Sequence, residues 1–351
     1  FIDQLPAANS CGFAPALTLM NIIGKTFENL TPGKETVFKN LSVTPLIGGK
    51  GNDPDYLMMD ETLKSGLARI KEISNEGSVP DLHFENLSDK AVLLVDGEEL
   101  VGAKQNRVLN ITVLVPAKTT ITIPVSCVEA GRWSHTSPEF HSEDRAFYAA
   151  GRARKAAHIS ESLSMNGTRR SKQGEIWEDI STKSSRMGTH SNTSAMAEIF
   201  INNNQLLEEY RTAFTSETQQ VGAIFSINGI VRGVELFDYS QSLSKLYKKL
   251  IGSYALDAID EVNLSSKAES PSSVQTFLHQ IKAANLSFYP AVGEGEDIRI
   301  STEDISGGAL IARERIVHLC AFNSVRNERQ HQGNQDATLI RASRRRRFYR
   351  E

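Results

Sequence analysis

Between residues 69 and 129 the chain repeats one pattern: short runs of Val, Ile, Leu and Thr, cut at close intervals by turn residues. The runs are RIKEIS, DLHFENL, KAVLLVDG, VLNITVLVPA and TTITIPVSCVE, separated at Asn75–Gly77, Ser88–Asp89, Asp96–Gly97 and Pro116–Ala117. β-Branched residues suit a pleated, half-buried surface, and Gly, Asn and Pro suit the reversals. Such strands in succession predict an antiparallel sandwich- or barrel-like unit over residues 35–133. ETVFKNLSVTPLIG opens it as a strand, with Val37, Leu41 and Val43 on one buried face. No glycine-rich loop opens a helix in this region, which argues against a doubly wound nucleotide fold.

The text differs on either side. Residues 1–34 read as irregular, because Pro6, Pro15 and Gly24 interrupt any long helix. A short helix is predicted at Asp60–Leu67, with Asp60 as its cap. Residues 134–220 read as a helical, polar middle. Within it, Gln173–Lys183 carries Ile176, Trp177 and Ile180 on one side. TSAMAEIFINNNQLLEEYRTAF reads as one amphipathic helix capped by Thr193 or Ser194. Residues 221–323 read as a smaller α/β unit. It begins with a hairpin turning on Asn228–Gly229, followed by a helix with Leu243, Leu246, Tyr247, Leu250 and Tyr254 as its core stripe. A second helix follows with Pro271 near its first turn, and then strands. Residues 324–351 end in RASRRRRFYRE, a basic tail with six Arg that reads as solvated and disordered. The fold class is therefore α+β. No Pro/Gly/Ser linker clearly parts the halves, so a shared core is expected.

Composition removes several functions. The net charge is −3, which provides no global pull towards nucleic acid or an anionic membrane. No stretch reaches the roughly 18 apolar residues of a membrane helix. The three cysteines, Cys11, Cys127 and Cys320, are sparse and widely spaced. They form no disulfide framework and no CxxC pair, and they point to a reducing cytoplasm. Cys127 and Cys320 lie in apolar runs, where an inert buried thiol is the ordinary expectation.

Two polar clusters carry the candidate chemistry. In the first, Glu98, Glu99, Lys104, Gln105, Asn106, Arg107 and Asn110 lie between strands that read as buried. In a sheet, Lys104 and Asn106 would face one side and Gln105 and Arg107 the other. Arg and Lys with Asn and Gln suit a phosphate or ribose, and Glu98 or Glu99 in a dry site suits a general base. The competing reading is a polar hairpin whose charges pair with one another. The second cluster is Glu129, Arg132 and Trp133. The aromatic and the Arg suit a base or a sugar ring, with Glu129 as a further catalytic carboxylate. Equally, Trp133 would plug the end of the unit beside a Glu129–Arg132 ion pair. His135 and His141, with Glu139, Glu143 and Asp144, fit no standard zinc spacing, and no metal is expected there.

The block ELVGAKQNRVLNITVLVPAKTTITIPVSCVEAGRW (Glu99–Trp133) resembles the ARPP-1 domain family, the ARG and rhodanese-phosphatase-superfamily-associated protein domain. RARKAA (Arg152–Ala157), GEIWEDI (Gly174–Ile180), VGAIFSINGIVRGVELFD (Val221–Asp238), KLIGSYALDAI (Lys249–Ile259), AVGEGEDIRI and IVHLCAFN resemble it too. The resemblance covers about residues 35–323. It implies an association with ADP-ribosylglycohydrolase-type and phosphatase-type proteins, and implies no particular cofactor. With the polar clusters, it raises the expectation of a nucleotide-like or ADP-ribose-like ligand, bound or processed. The alternative is a non-catalytic assembly protein, a homo-oligomer in which the same charges join subunits. Nucleic-acid binding through the tail is the most distant reading.

Overall fold

The computed structural model describes residues 13–49, 53–74, 77–134, 136–262 and 273–323. Helix α1 (Phe13–Glu28) is followed by strands β1 (Thr31–Pro32), β2 (Thr36–Phe38), β3 (Leu41–Ile47) and β4 (Tyr56–Met58), then helix α2 (Met59–Lys64). Next come β5 (Ala68–Glu72), β6 (Asp81–Asn86), β7 (Ala91–Leu94), β8 (Glu98–Gly102), β9 (Arg107–Leu109), β10 (Val113–Val115), β11 (Thr120–Cys127) and β12 (Phe140–Ala146). The middle of the chain is helical: α3 (Ala149–Asn166), α4 (Gln173–Arg186), α5 (Met196–Asn202) and α6 (Asn204–Ala213). The last third holds β13 (Gln220–Ile227), β14 (Ile230–Phe237), α7 (Ser240–Asp260), α8 (Val274–Lys282), β15 (Asn285–Pro290), β16 (Glu296–Ser301), β17 (Ile305–Ala312) and β18 (Arg315–Asn323).

The strand-rich stretch makes a six-stranded antiparallel sheet in the order β12-β8-β9-β11-β6-β5. It curls until its edges approach: Arg69 and Lys71 of β5 reach Glu139, just ahead of β12, at 4.0 and 3.3 Å. Side chains alternate across a strand, so Ile70, Leu82, Phe84, Leu100, Leu109, Ile123 and Val125 share the concave face and pack as one core. The seam between β5 and β12 leaves a cleft of about 340 Å³ against α2, lined by Asp60, Leu63, Phe140, His141 and Ser142 among others. A small sheet, β10-β7-β4, adjoins the barrel, with β4 and β7 parallel.

The second large sheet has nine strands. Its path runs β1-β3-β13-β14-β18-β17-β16-β15, with β2 also on β3. α1 and α8 cover one face through Ile23, Phe27, Phe277 and Ile281. On the other face α7 packs Leu243, Leu250 and Tyr254, and the Tyr254 ring stacks on Phe225 at 3.9 Å. Covered on both faces, β13, β14 and β17 are buried at every position, as their near-continuous apolar text requires. The strand β3, early in the chain, pairs with β13 from Leu41↔Ile227 to Ile47↔Gln220.

A buried ionic cluster ties barrel to sheet. Arg152 of α3 donates to both Glu235 oxygens, at 2.6 and 3.2 Å, and through Nε to Asp96 at 3.1 Å. Lys155, one turn on, donates to Asp96 at 2.6 Å and to the Leu109 and Asn110 carbonyls. Tyr254 donates to Glu235 at 3.2 Å; His318 lies 3.2 Å from Glu235 and 2.7 Å from Thr112. Burial raises the Asp96 pKa, but Lys155 and Arg152 outweigh it and hold the carboxyl below its ordinary range. Gly97, at φ +83°, is required beside it, because a Cβ there would lie 2.7 Å from Arg152 Nε.

Several local expectations are corrected. α1 runs where irregular chain is predicted; Pro15 falls in its first turn, where backbone N–H groups have no intrahelical acceptor. The strand predicted over ETVFKNLSVTPLIG breaks at Lys39, which has φ +53°, into β2 and β3, leaving Val37 63 % exposed. Met58, not Asp60, caps α2, and its N–H donates to Glu61 at 3.1 Å. The long helix predicted after Thr193 starts at Met196 and divides at Asn203 into α5 and α6. Ser273 caps α8, accepting from the Thr276 N–H at 3.0 Å. Pro6, Cys11, Asn75, His135, Pro271 and the 324–351 tail lie outside the described residues. No described helix is long and apolar enough to cross a membrane.

Candidate functional site

At one end of the barrel the apolar lining gives way to polar residues. Strand alternation puts Glu72 in line with Ile70, Arg107 with Leu109, and Cys127 with Val125, all on the concave face. Arg107 pairs in register with Cys127 on β11 and with Leu100 on β8. The β8–β9 connection, residues 103–106, closes over this end. Ala103 sits there at φ +39°, a conformation that stores strain in a residue with a Cβ.

Arg107 is completely buried. Its Nη1 donates to Gln105 Oε1 at 3.1 Å, while Nε and Nη2 have no hydrogen-bond partner. Nε–H and Nη2–H form the parallel fork that a carboxylate or phosphate accepts with two oxygens. Burial pulls the Arg107 pKa down, opposed by the nearby Cys127 and Glu72 groups. Trp133 stands over the site, 49 % exposed, with Lys104 Nζ 5.2 Å and Arg107 Cζ 5.8 Å from its ring centroid. Gly77, at φ +80°, passes so close that a Cβ would lie 3.0 Å from Lys104 and 3.3 Å from Trp133.

The other candidates are placed differently. Glu129 accepts from Arg132 at 2.6 and 3.0 Å and from the Asn106 N–H at 3.1 Å. Burial raises its pKa, but these donors outweigh that and hold it low. Arg132 is spent on the same lock, bonding Asn106 Oδ1 at 3.1 Å and the Ala103 and Ser134 carbonyls at 2.7 and 3.0 Å. Glu129, Arg132 and Asn106 therefore shape the loop that carries Lys104 and leads into Arg107 at the start of β9. Glu98 points to another cluster: its oxygens accept from Lys249 and from the Val95 N–H, both at 2.9 Å. It lies about 13 Å along β8 from Gly102 at the mouth. Glu99 bonds Arg145 at 2.6 Å. Burial raises both of these carboxyl pKa values, offset in part by Lys249 and Arg145 respectively. Asn110 accepts from Ser126 at 2.6 Å and donates to the Arg169 carbonyl at 2.9 Å, away from the mouth. His141 pairs with Glu143 at 3.2 Å on the outer seam.

Cys127, Trp177 and Glu72 join the site without being singled out as site residues from sequence. The Cys127 thiol donates to Gln105 Oε1 at 3.1 Å, and burial pushes its pKa up, against an opposing effect of Arg107, so it is a neutral thiol and not an activated nucleophile. α4 docks on β11 because the Gln173 side chain bonds both the Cys127 N–H and its carbonyl, at 2.9 and 2.8 Å. Trp177, one turn on, has its indole N–H buried without a hydrogen-bond partner. The period-2 text of ARIKE and TITIPVSC already places Glu72 and Cys127 on the inward face. A carboxylate at an inward position was the available signal.

The Glu99–Trp133 block and GEIWEDI thus meet at one barrel mouth. The sequence model of the ARG and Rhodanese-Phosphatase-superfamily-associated Protein domain matches residues 29–322. The chain belongs to the ARPP-1 family. No curated protein and no solved structure matches it. The ARPP-1 match takes in barrel, helices and nine-stranded sheet alike, and with them both the mouth and the Arg152 cluster.

Proposed function

We propose that this ARPP-1 protein binds a small anionic, nucleotide-like ligand at the mouth of its barrel. One observation carries the reading: the buried Arg107 guanidinium leaves its Nε/Nη2 fork without a hydrogen-bond partner, beneath an exposed tryptophan. A buried donor without an acceptor costs about 1–3 kcal/mol, and more when charged, so an incoming anion recovers energy that the fold leaves unspent. Barrel mouths are common ligand sites. The Trp133 face adds stacking area for a base or a sugar. Binding is favoured over catalysis because Glu98, Glu99 and Glu129 are each held by a cation or a backbone N–H.

Isothermal titration and thermal shift with ADP-ribose, NAD and inorganic phosphate test this. Arg107→Gln is expected to weaken anion binding by roughly tenfold to a hundredfold, the value of a charge-assisted pair. Trp133→Ala is expected to weaken ADP-ribose while leaving inorganic phosphate nearly unchanged. If none of the three ligands binds the wild-type protein at millimolar concentration, the reading falls.

A further inference from the structure

Glu72 gives the mouth a second, opposite preference. It is the last residue of β5, on the concave face in line with Ile70, and neither of its carboxylate oxygens has a hydrogen-bond partner although both are buried. Its carboxyl group lies near enough to Arg107 to oppose, after Cys127, the lowering of that guanidinium's pKa by burial. The two nonetheless form no direct bond: the Arg107 fork and both Glu72 oxygens stay unpaired. The same mouth shows what simple charge balance looks like. Glu129 closes onto Arg132 at 2.6 Å, two atoms to one carboxylate oxygen. Glu72 and Arg107 instead leave an acceptor pair and a donor pair without hydrogen-bond partners on the concave face.

A bare anion seated on Arg107 would be repelled by the Glu72 carboxylate and would leave its oxygens unsatisfied. A ligand that presents an anion at one end and hydroxyl donors a short way off satisfies both. Resting on the anion-binding reading above, we infer that the site selects a hydroxylated phosphate ester, a sugar phosphate. The phosphate lies on the Arg107 fork, the sugar hydroxyls donate to Glu72, and Trp133 covers the ring. A site that hydrogen-bonds a substrate hydroxyl discriminates against the analogue lacking it, because its buried acceptor is then left bare.

The test compares ribose 5-phosphate with ethyl phosphate, two phosphate monoesters of which only the first carries hydroxyls, by titration calorimetry on the full chain. The wild-type protein is expected to bind ribose 5-phosphate at least about tenfold tighter, the value of a hydrogen bond to a charged group. Glu72→Gln is expected to reduce that ratio to near one, while ethyl phosphate binds as well as before or better. Equal affinities in the wild type overturn the sugar-phosphate assignment and leave the anion site standing. A ratio unchanged in Glu72→Gln also overturns it. Binding of neither ester removes the anion site and this inference together. If Glu72→Gln fails to fold, the wild-type ratio still decides, and Glu72→Asp supplies the variant arm.

Discussion

Asp96 is where one residue contributes most visibly to stability. It accepts from Lys155 at 2.6 Å and from Arg152 at 3.1 Å, and these cations hold its pKa below the ordinary 3.8 despite burial. A carboxyl depressed in the folded state stabilises the fold above its unfolded pKa, and that contribution is lost as pH falls through the folded value. Asp96→Asn is expected to cost about 3–5 kcal/mol at neutral pH, because two buried cations lose their partner. In urea unfolding the gap between wild type and variant should narrow as pH drops below about 4. A gap that stays constant down to the acid transition would mean Asp96 is not ionised in the folded state. Arg152, Lys155, Glu235 and His318 each stand in the blocks that resemble the family, yet sequence reasoning assigned them nothing. Their charges are completed by residues up to 83 positions away.

At the scale of elements, legibility follows the length over which a pattern repeats. The β13–β14 hairpin turns on Asn228 and Gly229, at φ +53° and +77°, as the dipeptide predicts. α7 buries all five residues of its predicted stripe. Gly229→Ala forces a side chain into a left-handed turn position and is expected to cost roughly 1–2 kcal/mol, read as a lowered thermal midpoint. A midpoint unchanged within error would show that the turn relaxes to another type. The misses are junctions. A single left-handed residue, Lys39, divides one predicted strand into a hairpin, and Asn203 divides one predicted helix. Periodicity continues across such points, because neither break alters which residues are apolar. α1 was hidden because a proline in a first turn resembles a proline that breaks a helix.

For the whole molecule, the decisive contact is β3 on β13. Residues 41–47 precede the barrel in sequence but pair within the nine-stranded sheet. A fragment of residues 35–133 would carry β3 away from its partner and expose Leu41, Val43 and Leu46, all buried in the full chain. That fragment is expected not to fold by itself, giving poorly dispersed amide resonances. A well-dispersed spectrum would show the barrel to be independent. The Arg152–Glu235 pair and Lys155–Asp96 pair reinforce the same union from within, joining α3 to both the large sheet and the β7–β8 turn.

The letters alone determined the α+β class, the strand-rich first half, the hairpin and α7, because period, turn chemistry and capping act over a few residues. They also singled out Glu98, Glu99, Lys104, Gln105, Asn106, Arg107 and Asn110 as one polar cluster and Glu129, Arg132 and Trp133 as a second. Only the tertiary structure decided which of those charges are spent. Glu98 was claimed by Lys249 from 151 positions away and Glu129 by the neighbouring Arg132, whereas Arg107 kept Nε and Nη2 without a hydrogen-bond partner. Pairing depends on what distant segments bring within about 3 Å, and no local repeat in the sequence encodes that distance.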